Sequence, residues 1–255
     1  MLEPVKSGFF VGYFKKVPAD IKRLMIGFIA FFLTGMASAS LLVTLTAESP
    51  GSGRFDNELR GERLVGTIEI KPYPILRVPA DENHPARAIM LAGSGKFGVA
   101  DMALPLAGQA AQVGGMFVKR GDLGMLLIGG DADLVSAGPQ VNLQPASNPE
   151  NLGRWRLTGE ICDGKCGGGA MKPGTGLAHK ACANLCIDGG VPPVFVSTAP
   201  VQGHIFLLLA ARNGGPMPAS LLDKTGLRIV LEGIVERRDD LLIFKVEDAA
   251  DGEAT

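Results

Sequence analysis

Apolar and polar residues are distributed along this chain in two different ways. Residues 24 to 47, LMIGFIAFFLTGMASASLLVTLTA, form one unbroken apolar run without a charge. As a helix it is long enough to cross a hydrocarbon layer of roughly 30 Å. Beyond it the apolar residues come in short stretches cut by Gly, Pro, Asp and Asn, the pattern of strands joined by turns. Leu227, Ile229 and Leu231 alternate with Arg228, Val230 and Glu232, close to the period of two expected of a half-buried strand.

The short stretches occur twice. RLVGTIEI from Arg63 matches RLTGEICD from Arg156, PILRV (74–78) matches PVFV (193–196), and ARAIMLA (86–92) matches GHIFLLLA (203–210). GQAAQVGGMFVKRGDLGMLLI from Gly108 then aligns with GLRIVLEGIVERRDDLLIFKV from Gly226, placing Gly108 on Gly226 and Gly115 on Gly233 without a gap. Blocks repeated in one order predict a duplication. The first copy reads as strands near 64–70, 74–79, 86–92, 109–119 and 123–129, with a less regular connection near 98–106. Five strands with an extra element between the third and fourth is the plan of a small Greek-key barrel of the OB type. The expected fold class is therefore mainly β: a cytoplasmic segment (1–23), a transmembrane helix (24–47), a linker (48–62), and two tandem five-stranded OB-like barrels (63–145 and 150–250). The second barrel carries an insertion over 162–190.

Charge orients the apolar run. Lys6, Lys15, Lys16, Lys22 and Arg23 precede it against only Glu3 and Asp20, so the positive-inside rule puts the N-terminus in the cytoplasm and the barrels across the membrane. For a bacterial inner membrane that far side is the periplasm. A cleaved signal peptide is the alternative, with Ala37–Ser38–Ala39 as its cleavage motif; the run continues through Leu41, Leu42, Val43 and Leu45, which favours a retained anchor. GFFVGYF (8–14) reads as an interfacial stretch on the bilayer or a docking segment for another membrane subunit. With a net charge of −1, a single Trp (Trp155) and two Tyr, the chain lacks the basic face and stacking platform that nucleic-acid binding needs.

Every cysteine falls in CDGKCGGGAMKPGTGLAHKACANLC, residues 162 to 186. Ile70 and Pro74 of the first copy are separated by three residues, whereas Asp163 and Pro193 of the second are separated by twenty-nine. The segment is therefore an insertion between strands 1 and 2, a binding loop of this fold. From Thr175 as N-cap, GLAHKACANLCI predicts a short helix stopped by DGG. On it His179, Cys182 and Cys186 share one face, while Cys162 ends the first strand and Cys166 lies in the glycine loop. Three chemistries stay open. Four cysteines in an oxidising compartment can pair as disulfides drawn from Cys162, Cys166, Cys182 and Cys186. Cys166, His179, Cys182 and Cys186 can hold a metal, Zn or Cu. A redox dithiol is the third, although C-x-x-C is absent.

LTGEICDGKC, HKACANLCI and GGVPPVFV resemble a pattern of bacterial exported or membrane-anchored OB-like proteins: GE-[IV]-x-D-x-KC, then H-x-x-CA-x-x-C, then GG-x-PP. The resemblance covers the second barrel only. It implies Cys166, His179, Cys182 and Cys186 as the shared set and an apolar residue at position 162, and it brings no established activity. Among other candidates, His84 and His204 read as ordinary loop and strand-edge residues, and GSGKFG (93–98) as a glycine turn that fails the phosphate-loop pattern. Asp163 beside Lys165 reads as solvated, with an ion pair or a partner for the helix as the alternative. No G-x-S-x-G elbow occurs. Two functions follow as expectations: a non-catalytic accessory subunit of a larger membrane redox or transport complex, or a metal-binding or thiol-redox protein acting through the inserted helix.

Overall fold

The computed structural model describes residues 17–46, 51–56, 61–138, 141, 143 and 146–247. The chain divides into two units, Met1–Ser49 and Pro50–Thr255. The first contains one helix, α1 (Ala19–Thr46), apolar and long enough to span a bilayer. It starts before the apolar run, taking in Asp20, Lys22 and Arg23. The stretch 8–14 lies outside the described residues.

The second unit opens with β1 (Arg54–Asp56), followed by β2 (Leu64–Glu69), β3 (Ile75–Val78), β4 (Arg87–Gly93), the short helix α2 (Ala100–Ala103), β5 (Ala110–Val113), β6 (Met116–Arg120), β7 (Leu123–Ile128) and β8 (Leu134–Ser136). It continues with β9 (Glu150–Asp163), α3 (Lys180–Asp188), β10 (Pro193–Val201), β11 (His204–Ala211), β12 (Arg228–Arg238) and β13 (Leu241–Val246). The five strands of the later half close into a barrel in the order β10-β11-β13-β12-β9. The earlier half is an eight-stranded sheet, β1-β6-β7-β4-β3-β2-β5-β8. It is a sheet and not the five-stranded first barrel expected over 63–145: its fourth strand is split at Gly114–Gly115 into β5 and β6, while β12 runs on through the matching Gly233. The expected linker also holds a strand, β1, which pairs with β6.

Despite that break, the strand registers repeat residue for residue. Ile68 faces Leu76 as Ile161 faces Phe195. Met90 runs parallel to Met125 as Leu208 does to Ile243, and Met116 faces Leu127 as Ile234 faces Lys245. The aligned glycines have one physical cause. A Cβ on Gly115 would stand 2.2 Å from the Leu127 carbonyl oxygen, and one on Gly233 would stand 2.2 Å from that of Lys245. Neither position admits a side chain.

Strands 2, 3 and 5 of each half are buried on both faces, which explains their nearly continuous apolar sequence. Leu76, Ile89, Leu91, Leu126 and Ile128 point into the first half's core; Phe195, Leu207, Leu209, Leu242 and Phe244 fill the barrel. The alternate residues meet in a third core between the halves, where Ile75, Met90 and Met125 lie with their counterparts Val194, Leu208 and Ile243. The turn between β6 and β7 and the turn between β12 and β13 cross that seam symmetrically. Asp122 accepts hydrogen bonds from the Ile205 and Phe206 amides, each 3.1 Å, and Asp240 accepts one from the Ala88 amide at 2.7 Å. Arg77, buried in the seam, pairs with Glu69 and Asp239, each at 2.6 Å. The two copies therefore fold as one body, as two subunits of a symmetric dimer would.

Candidate metal centre

Between β9 and β10 the chain leaves the barrel, makes a wide turn over Cys166–Ala170, passes through a one-turn 3₁₀ segment at Leu177–His179 and returns through α3. Thr175 is not the cap expected of it: the 3₁₀ turn starts from Gly176, and His179 itself is the residue before α3. His179 is thereby fixed at a helix start, with Cys182 and Cys186 one and two turns along. The insertion is pinned on both sides. Cys186 and Val191 pack into the seam core. The Gly98 amide of the first half donates to the Gly189 carbonyl at 2.7 Å.

Asp163 is the polar centre of the site. It is fully buried, with 0% exposure. Its Oδ1 accepts a hydrogen bond from the Cys166 amide at 2.8 Å, closing the D-G-K-C turn, and its Oδ2 lies 2.9 Å from His179 Nε2. Asp163 thus sets both the turn that carries Cys166 and the orientation of the His179 ring. With Nε2 engaged, Nδ1 is the nitrogen left to coordinate, the arrangement in which a carboxylate fixes the tautomer of a metal-binding histidine. The solvated reading of Asp163 is corrected. Its neighbour Lys165 is buried too and donates to the carbonyls of Gly93 and Gly95 instead.

The ligand atoms form two groups that share Cys166. Cys166, His179 and Cys182 bring theirs within 4.8 Å of one another, and so do Asp163, Cys166 and Cys186. The expected set of four is thus assembled as two overlapping threes, with Cys166 as the hub. Cys162 belongs to neither group and faces the seam core. None of the four cysteines is joined to another in this structure.

Electrostatics separates the buried thiols from the outer edge. Burial, then the charge of Asp163, raises the pKa of Cys162, Cys166 and Cys186 above the ordinary thiol value, which makes them poor nucleophiles. Cys182 is only half-buried and meets a cation, Lys96, whose Nζ lies 2.9 Å from Cys182 Sγ and 3.9 Å from Cys186 Sγ. The Cys182 sulfur raises the pKa of Lys96 in return.

Lys96 belongs to GSGKFG, read from sequence as a plain glycine turn, so the first half contributes to the site. No local signal marked Lys96; it depends on the packing of the halves. Asp163 did have one, since an Asp three residues before a turn amide is a common capping arrangement. His84 and His204 sit beside Asp81 and Asp122, away from the cluster. Set against protein-family models, curated proteins and solved structures, the chain matches none of them.

Proposed function

We propose that this protein is a membrane-anchored metal-binding protein whose inserted helix and turn hold one thiophilic ion. The observation that carries the reading is the convergence of Cys166, His179 and Cys182 around a histidine already oriented by buried Asp163. Thiolates with one imidazole suit Zn²⁺ or Cu(I). Cys186 stands immediately behind, in the group with Asp163 and Cys166. The paired barrels, both OB-like in this reading, serve as the rigid frame. α1 is the anchor, with the N-terminus cytoplasmic and the site on the periplasmic face of a bacterial inner membrane. Elemental analysis of the full-length protein, purified without oxygen in mild detergent, tests this. The reading expects one equivalent of Zn or Cu per chain, lost in Cys166→Ser. Metal-free protein whose mass shows two disulfides would refute it.

A second reading makes the chain an accessory subunit of a larger membrane redox or transport complex. An apolar cleft of about 470 Å³ between the halves, lined by Tyr73, Ile187, Met217 and Leu222 among others, favours it by offering room for an apolar segment of a partner. Recovery of a stoichiometric membrane protein with the detergent-solubilised chain is the expected result. Recovery of the chain alone would exclude it.

A further inference from the structure

The half-exposed edge of the centre holds another sulfur atom. Met171 follows the wide turn Cys166–Ala170 in extended backbone, and its Sδ lies 3.8 Å from Cys182 Sγ. In a tetrahedral site with bonds of about 2.3 Å, sulfurs at neighbouring corners stand about 3.8 Å apart. The bland account of a methionine here is packing, and the burial does not support it. The preceding Ala170 packs against the seam core, whereas Met171 is 48% exposed. Its sulfur therefore faces a thiol at the rim instead of filling a core.

We infer, on the basis of the metal-binding reading above, that Met171 Sδ is the fourth donor to the ion held by Cys166, His179 and Cys182, and that this ion is Cu(I). A thioether is a soft, uncharged donor. The usual protein ligands of Zn²⁺ are thiolate, imidazole and carboxylate, without thioether, whereas a thioether is among the soft donors that suit Cu(I). Met171 at the rim also gives an incoming ion its first sulfur contact, ahead of the buried Cys166.

Affinity for thiolates alone does not separate the two ions, so the test compares variants. Full-length protein in detergent, reduced and kept from oxygen, is titrated with Cu(I) buffered by bicinchoninate and, separately, with Zn²⁺ against a chromophoric chelator. The wild type is expected to take one equivalent of Cu(I). Met171→Leu, an exposed substitution of similar volume, is expected to lower Cu(I) affinity roughly tenfold or more, the scale of losing one group at a metal centre, with Zn²⁺ affinity unchanged. Met171→His, which supplies a donor Zn²⁺ accepts, is expected to raise Zn²⁺ affinity. Unchanged Cu(I) affinity in Met171→Leu, or an equal loss for both ions, would overturn this inference and leave the metal-binding reading standing. A wild type that binds neither ion would overturn both.

Discussion

Asp163 shows how one side chain organises this site. It is fully buried, and its two oxygens are used by the Cys166 amide and the His179 ring. Replacing it with Asn removes the charge and leaves an amide with one acceptor for two tasks. Asp163→Asn is expected to weaken metal binding about 10- to 100-fold, the usual scale for a group that orients a ligand. Competition against a chelator of known affinity checks this. The same residue marks the limit of reading the sequence. Its spacing from Cys166 was visible, but its burial follows from packing beneath an insertion whose path over the barrel the pattern does not encode.

Among the elements, the contact between the glycine turn and the end of α3 joins the halves at the metal centre. A Cβ on Gly98 would stand 2.2 Å from the Gly190 carbonyl oxygen, and one on Gly189 would stand 1.9 Å from that of Lys96. Two backbones meet here with no room between them. Gly98→Ala is expected to push the turn off α3, to cost about 1–3 kcal/mol as other overpacked sites do, and to draw Lys96 away from Cys182. Urea denaturation together with metal loading measures both effects, and the variant should lose on each. The strands themselves were legible in the sequence, because period-two patterning and the matching glycines carry register as well as existence. Three features were not. β1 and β8 are each only three residues long, too short for a pattern, and Gly114–Gly115 breaks a strand that its counterpart continues.

For the second unit as a whole, the decisive feature is the shared seam. Arg77, Glu69 and Asp239 form a buried ionic cluster there, with the Ser147 hydroxyl donating to Asp239 at 2.6 Å. Burial pushes the Asp239 carboxyl up, but the hydrogen bonds from Arg77 and Ser147 outweigh it and hold its pKa below the ordinary 3.8. A depressed carboxylate stabilises the fold above its unfolded value, and that contribution is lost as pH falls through the folded value. Asp239→Ala is therefore expected to cost about 1–3 kcal/mol at pH 7, since it removes one of the two carboxylates that compensate buried Arg77 and leaves Glu69 as the other. The difference from wild type should shrink below about pH 4, as the wild-type carboxyl is protonated; denaturation midpoints from pH 7 to pH 3 measure it. The duplication was readable from the sequence, but its consequence was not: equivalent outward faces pack on each other, and a residue of the apparently plain half thereby reaches the thiols of the other. The most direct test of the metal centre is the rate at which Cys182, its half-exposed thiol, is alkylated in the full-length protein, mapped by peptide mass with and without a strong chelator. A Cys182 protected until the chelator is added, together with four alkylatable thiols after denaturation, is the predicted result. Equal alkylation in both conditions, or cysteines already joined in pairs, would contradict it.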